Sequence, residues 1–258
     1  MEILILLSAV LPGILLWLYI WKKDPQKEPT SKLIMAVGLG AAACIHVVFI
    51  ELIMQTVLFG LGGGPTTIIG TTVDAFFVAA LPEESIKLFA LWIVLHRNRY
   101  FDEHFDGIVY AVCVGLGFAT VENLFYLFGE EEWVTVAISR ALLAVPGHYA
   151  FAVLMGYYYS VHHFVDHSKK AAVMILLVPV VAHGIYDAFA LSGAVDPYVG
   201  GVCFLLLIIF CIFMHRYAKK KINHQIAKDQ QSVQPSDPPI AQQSNQQNDS
   251  WDYPQLKL

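Results

Sequence analysis

Charge is scarce in this sequence of 258 residues, of which 14% are Asp, Glu, Lys or Arg and 57% are hydrophobic. A soluble domain carries about 25% charged residues, so this composition excludes an ordinary soluble fold and is typical of a membrane protein. Cysteine is also scarce, and the chain has no CxxC pair. The cysteines lie inside apolar runs, which predicts free, buried thiols and excludes a zinc knuckle: Cys44, Cys113, Cys203 and Cys211.

The first apolar run, residues 2–20, lacks both a preceding basic residue and a following small-residue cleavage site. It is long enough to span a bilayer, and Lys22 and Lys23 follow it at once. These features predict a retained membrane anchor and argue against a secretory signal peptide.

Seven apolar runs are long enough to cross a membrane, since a spanning helix needs roughly 20 apolar residues. The sequence therefore predicts an all-α, polytopic membrane protein with about seven transmembrane helices. The connecting loops are short, so we expect no inserted soluble domain. The predicted spans are residues 2–20, 33–59, 66–95, 106–128, 134–161, 171–191 and 198–217.

Basic residues are missing from alternate loops, and this absence orients the chain. The loops at 60–65, 129–132 and 192–197 contain no Lys or Arg, whereas the loops on the other side and the segment 216–221 at the end of the last span contain twelve. The N-terminus is therefore predicted outside and the C-terminus in the cytoplasm. We expect a membrane domain over residues 1–217 and, over 218–258, a disordered cytoplasmic tail rich in Gln, Asn and Pro.

Ionisable residues inside the predicted spans are the main functional signal, because each costs about 2.5–3.5 kcal/mol on insertion scales. Counted from the predicted cytoplasmic ends, the main acid and imidazole groups of four spans lie 13 to 16 residues deep, about 20–24 Å at 1.5 Å per residue. This shared depth, toward the outer leaflet, predicts one common site, although kinks at two prolines can shift it. The groups are Glu84, Glu122, His148 and His183, and the prolines are Pro82 and Pro146.

Helical spacing pairs several of these residues. Glu83 and Lys87 are four residues apart, as are His183 and Asp187, and residues at that spacing share a helix face. We therefore expect Lys87 to neutralise part of the acidic pair Glu83–Glu84, and Asp187 to orient His183. A stripe of small residues before Glu122 predicts close approach of another helix: Gly107, Ala111, Gly115 and Ala119. His46 and Glu51 have no such partner, and we expect them to be structural.

The chemistry of these groups leaves three classes of function open. Two glutamates and two histidines in a low-dielectric pocket can supply the base, proton donor and oxyanion stabiliser of a hydrolase. They can also hold a divalent metal; the sequence lacks HExxH, so a zinc set of Glu122, His148 and His183 would come from separate helices. A proton-coupled transporter is the alternative, although matching interrupted helices are not evident. A receptor would not need four ionisable groups at one depth.

The ordered motifs resemble those of the PrsW intramembrane proteases. They begin with Glu83-Glu84-x-x-Lys87 and continue with Asp106-Gly107 and the segment Gly115 to Asn123, which includes Phe118-x-x-x-Glu122. They end with Arg140, with Pro146-Gly147-His148 and with His183-Gly184-x-x-Asp187. The resemblance covers roughly residues 1–217. It extends to the CAAX prenyl endopeptidases, but Lys87 and Glu122 stand where those relatives usually have Arg and His, which makes prenyl-protein processing doubtful.

The resemblance implies an endopeptidase of the bacterial cell membrane that cleaves a single-span anti-sigma factor such as RsiW on its extracytoplasmic side. Such cleavage would start the release of an ECF sigma factor in an envelope-stress response. The expected partners are this substrate and the lipid bilayer, not nucleic acid. The implied cofactor is either none or a divalent metal such as zinc.

Within this hypothesis the catalytic residues are Glu83, Glu84, Glu122, His148 and His183. Glu83 or Glu84 would act as general base, and His183 would assist proton transfer or stabilise the oxyanion. The supporting residues would be Lys87, Asn123, Arg140 and Asp187.

Overall fold

The computed structural model describes residues 2–233, and within that range the regular secondary structure is entirely helical. Nine α-helices are joined by short loops. They are α1 (Glu2–Lys23), α2 (Thr30–Phe59), α3 (Ile68–Val73), α4 (Leu81–Leu95), α5 (Asp106–Leu127), α6 (Trp133–Ser139), α7 (Val145–Phe164), α8 (Lys169–Leu191) and α9 (Pro197–Val233). Two π-helical segments continue the chain between α3 and α4 and between α6 and α7: Asp74–Ala80 and Arg140–Ala144.

The all-α polytopic prediction is confirmed. Six helical stretches of the described chain are long and apolar enough to cross a membrane. The third predicted span is also helical throughout, from Ile68 to Leu95. It is not one of the six, because any 18 consecutive residues in it, about the length that crosses a bilayer, contain at least three charged residues. The number of crossings and the orientation with the N-terminus outside stay predictions from the sequence. The outward faces of α1, α2 and α9 are covered with exposed Leu, Ile and Phe side chains, as suits contact with lipid.

Helix α5 is the centre of the bundle, and all its residues from Asp106 to Ala119 are buried. It packs against α1, α2, α4 and α7. The predicted small-residue stripe accounts for the contact with α7: a Cβ added at Gly107 would lie 2.9 Å from the carbonyl oxygen of Gly156, and one added at Gly115 would lie 2.7 Å from the Cβ of Ala152. The expected close approach of a second helix is therefore confirmed.

Both π-helical segments end two residues before a proline of the site. Pro82 and Pro146 are the second residues of α4 and α7, which follow the two segments. Proline has no backbone N–H and its ring crowds the preceding turn, so the chain relaxes there into wider turns instead of continuing the α-helical bond pattern. The kinks expected at these prolines thus take the form of π-helical turns.

The disorder predicted for residues 218–258 is wrong for 218–233, because α9 continues to Val233. Ala218, Ile222 and Gln225 are buried on one face of this helix. Beyond them, the carboxylate of Asp229 accepts hydrogen bonds from the backbone N–H groups of His104 and Phe105 at 2.8 and 2.9 Å, just before α5. Tertiary contacts therefore order a segment that looked too polar to fold. The rest of the predicted tail lies outside the described residues.

The prediction of unpaired cysteines is confirmed, since all four cysteines are free. Cys44, Cys113 and Cys211 are buried, and Cys203 is half-buried.

Replacing Gly40 with alanine is expected to destabilise the fold by about 1–3 kcal/mol, the usual cost of overpacking. A Cβ at Gly40 would lie 2.0 Å from the backbone carbonyl oxygen of Val114, so α2 and α5 would have to separate. Gly38 on the same helix is the matched control, because a Cβ there meets nothing within 4 Å. Thermal unfolding in detergent measures both variants. Equal melting temperatures for Gly40→Ala and Gly38→Ala would contradict the packing described here.

Candidate active site

A cavity of about 650 Å³ opens among α2, α5, α7, α8 and the two π-helical segments. It extends toward the helix ends that lead into the loops without basic residues, the predicted outer side. Its outer part is lined by Gln55 of α2, Tyr126 of α5 and Leu191 of α8. Its polar lining residues are Glu51, Gln55, Asp74, Glu83, Glu122, Tyr126, Ser139, Arg140, His148, His183, Tyr186 and Asp187.

Four buried side chains form the polar centre of the site: Glu83, Glu84, His148 and His183. Each offers one ligand atom, and these atoms all lie within 4.8 Å of one another. They come from α4, α7 and α8, which are distant in sequence. The common depth predicted from the sequence therefore corresponds to one cluster in the structure.

Lys87 lies at the centre of this cluster, with 3% of its surface exposed. Its Nζ donates hydrogen bonds to Glu83 Oε2 at 2.8 Å and to Glu84 Oε1 at 2.9 Å, and lies 3.2 Å from His148 Nδ1. The ammonium group also lies 4.0 Å from the ring centroid of Phe118, a cation–π contact. Lys87 thus neutralises part of the acidic pair, as the four-residue spacing from Glu83 predicted.

The two adjacent glutamates have different environments. Glu83 lines the cavity, and its Oε2 accepts from Lys87. Glu84 is 1% exposed; its Oε1 accepts from both Lys87 and His183, while its Oε2 is buried without a hydrogen-bond partner among the described residues. Since adjacent helical residues differ by about 100° around the axis, only one of the pair can face the cavity. Glu83 is the glutamate that a substrate or water in the cavity can reach.

His183 lies between two carboxylates. Its Nδ1 is 2.9 Å from Glu84 Oε1 and its Nε2 is 3.1 Å from Asp187 Oδ2. Because an ionised carboxylate only accepts hydrogen bonds, these partners favour a ring protonated on both nitrogens. The ring of Phe151 stacks on His183 with centroids 4.8 Å apart. Phe151 was missed from the sequence, where its position three residues after His148 was the available signal.

His148 connects this cluster to a second carboxylate. Its Nδ1 faces Lys87, and its Nε2 lies 2.7 Å from Glu122 Oε2. Arg140 Nη2 donates to the same oxygen at 2.6 Å, and Arg140 Nε donates to Asn123 Oδ1 at 2.6 Å. All nine residues predicted for the site thus belong to one hydrogen-bonded network.

The second π-helical segment sets the position of Arg140. Arg140 and His148 are eight residues apart, which in a regular α-helix of 3.6 residues per turn places them about 80° apart around the axis. A π-helix has roughly 4.4 residues per turn, so five π-helical residues bring the two side chains to nearly the same azimuth. Both can therefore reach the same oxygen of Glu122.

The central cluster is suited to holding a divalent metal. Two carboxylates and two imidazoles are ligands that zinc accepts. Each imidazole directs Nδ1 toward the cluster and Nε2 toward an outer carboxylate, Glu122 or Asp187, which is the usual outer support of a metal-bound histidine. The unpartnered Glu84 Oε2 is a further donor. A bound cation would have to displace the Lys87 ammonium group or share the cluster with it.

This ligand group differs from the predicted trio of Glu122, His148 and His183. Both histidines belong to it, but Glu83 and Glu84 stand in place of Glu122. The reason is that the Oε2 of Glu122 already accepts from Arg140 and contacts His148. Glu51 was assigned a structural role from the sequence but lines the cavity, whereas His46 bonds the carbonyl oxygen of Ala42 in its own helix.

Residues 28–215 match the model of a protein family described as PrsW family intramembrane metalloprotease. The chain belongs to the PrsW family. The match covers every residue of the network described above. This PrsW-family chain is therefore a peptidase and a multi-pass bacterial membrane protein, as the resemblance of its motifs implied.

Proteins named Protease PrsW from several bacteria are similar to this PrsW-family chain. The protein from Bacillus subtilis is 37% identical over 190 residues, 71% of this chain and 81% of the relative. The protein from Geobacillus kaustophilus is 34% identical over 78% of this chain and 85% of its own. The one from Clostridioides difficile is 33% identical over 72% of this chain and 79% of its own. No solved structure matches the chain.

Proposed function

We propose that this PrsW-family protease hydrolyses a single-span, RsiW-like anti-sigma factor at an extracytoplasmic site. Cleavage would start the release of an ECF sigma factor in an envelope-stress response. The observation that carries this proposal is the position of Glu83, His148 and His183 in the wall of a cavity that extends toward the predicted outer side, with Lys87 bonded to Glu83 and close to His148. The family resemblance of the motifs is the basis for the substrate class.

The reaction needs a base that reaches the cavity, and Glu83 is in that position. A water oxygen would form a bond to the carbonyl carbon of the scissile peptide while its proton passes to the Glu83 carboxylate. The carbon–nitrogen bond would then break, and Glu83 would return the proton to the leaving amine. Glu84 cannot take this role directly, because it is buried and engaged with Lys87 and His183.

The negative charge that develops on the carbonyl oxygen needs nearby cations. Lys87 and the doubly donating His183 are positively charged groups of the central cluster, and Arg140 lies in the cavity wall. Cations fixed in a low-dielectric pocket stabilise such an oxyanion more than they would in water. Asp187 and Glu122 would keep the His183 and His148 rings oriented.

Glu83, Glu84, His148 and His183 would hold a divalent metal if the enzyme uses one. When bound, such a metal supplies Lewis-acid chemistry, since it acidifies water and polarises a carbonyl oxygen.

The proposal is tested with purified full-length protein in detergent and a single-span anti-sigma-like substrate. We expect one cleavage, mapped by mass spectrometry to the substrate segment on the outer side of its span. A matched substrate with the same span but an unrelated outer segment is the control. Cleavage of the control alone would contradict the anti-sigma substrate, and cleavage on the cytoplasmic side would contradict the proposed topology.

A strong chelator separates the two forms of the mechanism in the same assay. If the reaction depends on a metal, we expect chelation to abolish cleavage and added zinc to restore it. If Glu83 acts without a metal, cleavage survives chelation unchanged.

A further inference from the structure

The outer half of α2 forms one wall of the protease cavity. Residues at helical spacing on one face of this helix line it: Cys44, Val47, Val48, Glu51 and Gln55. Gln55 follows Cys44 by 11 residues, about 16 Å along the helix axis, and belongs to the outer part of the cavity. The mechanism proposed above gives this wall no role.

Two polar side chains of this wall, Glu51 and Gln55, are free to bind a ligand. They are four residues apart and therefore share a helix face. His46 and Thr56 bond backbone carbonyl oxygens of α2, whereas Glu51 and Gln55 have no hydrogen-bond partner among the described residues. An acid inside a predicted span is costly and is a functional candidate by default. A structural role would require a partner in the bundle.

Glu51 faces the place where the chemistry occurs. It lines the same cavity as Glu83 and Glu122, and it is close enough to both for their charges to act on it. Gln55 lies one helical turn farther out, in the outer part of the cavity. A substrate segment that enters from the outer side therefore passes Gln55 and then Glu51 on its way to Glu83.

The outer part of α2 is loosely attached to the bundle. Ala43, Cys44 and Val47 are buried, but no residue from Val48 to Phe59 is. The helix then ends at Gly60, which has a φ of 85° and where an added Cβ would meet nothing within 4 Å. A segment with few buried contacts moves at low cost. This wall can therefore shift to admit a substrate chain while the inner part of α2 stays packed.

A substrate backbone needs partners inside such a cavity. A peptide bond within a helix has its N–H and C=O groups bonded, so the chain must unwind before a base and a water can reach the carbonyl carbon. Unwinding in a low-dielectric site leaves these groups without partners, which is costly. An ionised Glu51 can accept a hydrogen bond from a backbone N–H, and Gln55 can donate or accept.

The spacing of Glu51 and Gln55 suits an extended chain. Four residues of α-helix rise by about 6.0 Å. In an extended strand, the backbone groups of residues i and i+2 point to the same side and are about 6.6–6.8 Å apart. The difference is small compared with the reach of the two side chains. Successive groups on one side of an extended substrate can thus meet Gln55 and Glu51 together.

We propose that Glu51 and Gln55 bind the substrate backbone in extended form and thereby present the scissile bond to Glu83. Glu51 accepts a hydrogen bond from one backbone N–H of the substrate, and Gln55 bonds the backbone two residues away. This role rests on the proposed function, because it concerns the substrate of the same cavity.

Steady-state kinetics of the full-length protein in detergent test these roles, with the anti-sigma-like substrate and its matched control substrate. In Glu51→Ala we expect KM to rise about tenfold or more with kcat near the wild-type value, because a hydrogen bond to a charged group is lost in the ground and transition states alike. Gln55→Ala should raise KM by about two- to tenfold. Glu51→Gln keeps an acceptor oxygen and should recover part of the loss. His46→Ala, on the same helix but outside the cavity lining, is the matched control and should keep the wild-type KM.

Substrates with one backbone amide replaced by an ester identify the bond, because an ester has no N–H. The replacement is made at successive positions on the outer side of the scissile bond. We expect one ester to raise the wild-type KM as much as Glu51→Ala does. The same ester should cost the Glu51→Ala enzyme nothing more, since both changes remove one interaction. The melting temperatures of Glu51→Ala and Gln55→Ala should equal that of the wild type, because neither side chain bonds the bundle.

Three outcomes would overturn the proposal. Fully additive losses from Glu51→Ala and every ester would show that Glu51 does not bind the backbone. A fall in kcat at unchanged KM would place Glu51 in the chemical step. A lower melting temperature of Glu51→Ala with wild-type kinetics would make its role structural. Cleavage of the control substrate alone is a different result: it contradicts the anti-sigma substrate, and the same comparisons are then made with the control substrate.

Discussion

Replacing Glu83 with glutamine is expected to lower the rate of substrate cleavage by about 10²–10⁴-fold, the range that a positioned general base contributes. Glutamine keeps the size of the side chain but cannot take a proton from water. Glu83 is the member of the acidic pair that lines the cavity, so no other carboxylate of α4 can replace it. The measurement is single-turnover cleavage of the anti-sigma-like substrate in detergent, with equal amounts of folded enzyme.

Glu131→Gln is the matched control for this variant, because it makes the same change in an exposed loop. We expect it to cleave at the wild-type rate. Full activity of Glu83→Gln together with an inactive Glu84→Gln would assign the base to Glu84 and contradict the mechanism. Loss of activity in both glutamate variants agrees with the structure, because Glu84 orients Lys87 and His183.

Replacing Lys87 with methionine is expected to destabilise the protein by about 3–5 kcal/mol, the cost of removing one partner of a buried ion pair. Methionine fills a similar volume but leaves Glu83 and Glu84 side by side without the ammonium group that bonds both. Thermal unfolding in detergent measures the loss. Cleavage should also disappear, since the carboxylates can lower their repulsion only by taking up a proton or by moving apart.

A triple variant, Lys87→Met with Glu83→Gln and Glu84→Gln, separates charge from packing. Removing both acids together with the base leaves no uncompensated ion, so we expect most of the stability to return while activity stays absent. If the triple variant is as unstable as Lys87→Met, then packing of the lysine side chain against Phe118 is the cause. If zinc alone restores the stability of Lys87→Met, a metal can replace the ammonium group.

Much of this architecture follows from patterns that depend only on neighbouring residues. Apolar runs of sufficient length predict the spanning helices, because the bilayer requires them. Small residues at four-residue intervals predict the close contact between α5 and α7, and Gly107 and Gly115 lie in it. The i, i+4 spacings predict the bonds of Lys87 to Glu83 and of His183 to Asp187. Common depth predicts the meeting of groups from separate helices.

The remaining features depend on rotation around helix axes and on distant contacts, which a single sequence does not specify. Depth alone cannot tell which of Glu83 and Glu84 faces the cavity. It also cannot show that Arg140 and His148 both bond Glu122, since that requires π-helical turns. The helical extension of α9 rests on Asp229, whose partners precede it by more than 120 residues. Composition favoured disorder there because it ignores such contacts.

The π-helical segments also affect how relatives and redesigned versions of this chain should be compared. A helix shortened by one residue at 140–144 would cross a bilayer as well as before and would have nearly the same average hydropathy. The loss would also leave Arg140 near its present azimuth relative to His148, because seven residues of a regular α-helix turn by about 700°, within roughly 20° of two full turns. A one-residue gap in an alignment at 140–144, with a regular α-helix in place of the π-helical segment, is therefore compatible with the same active site.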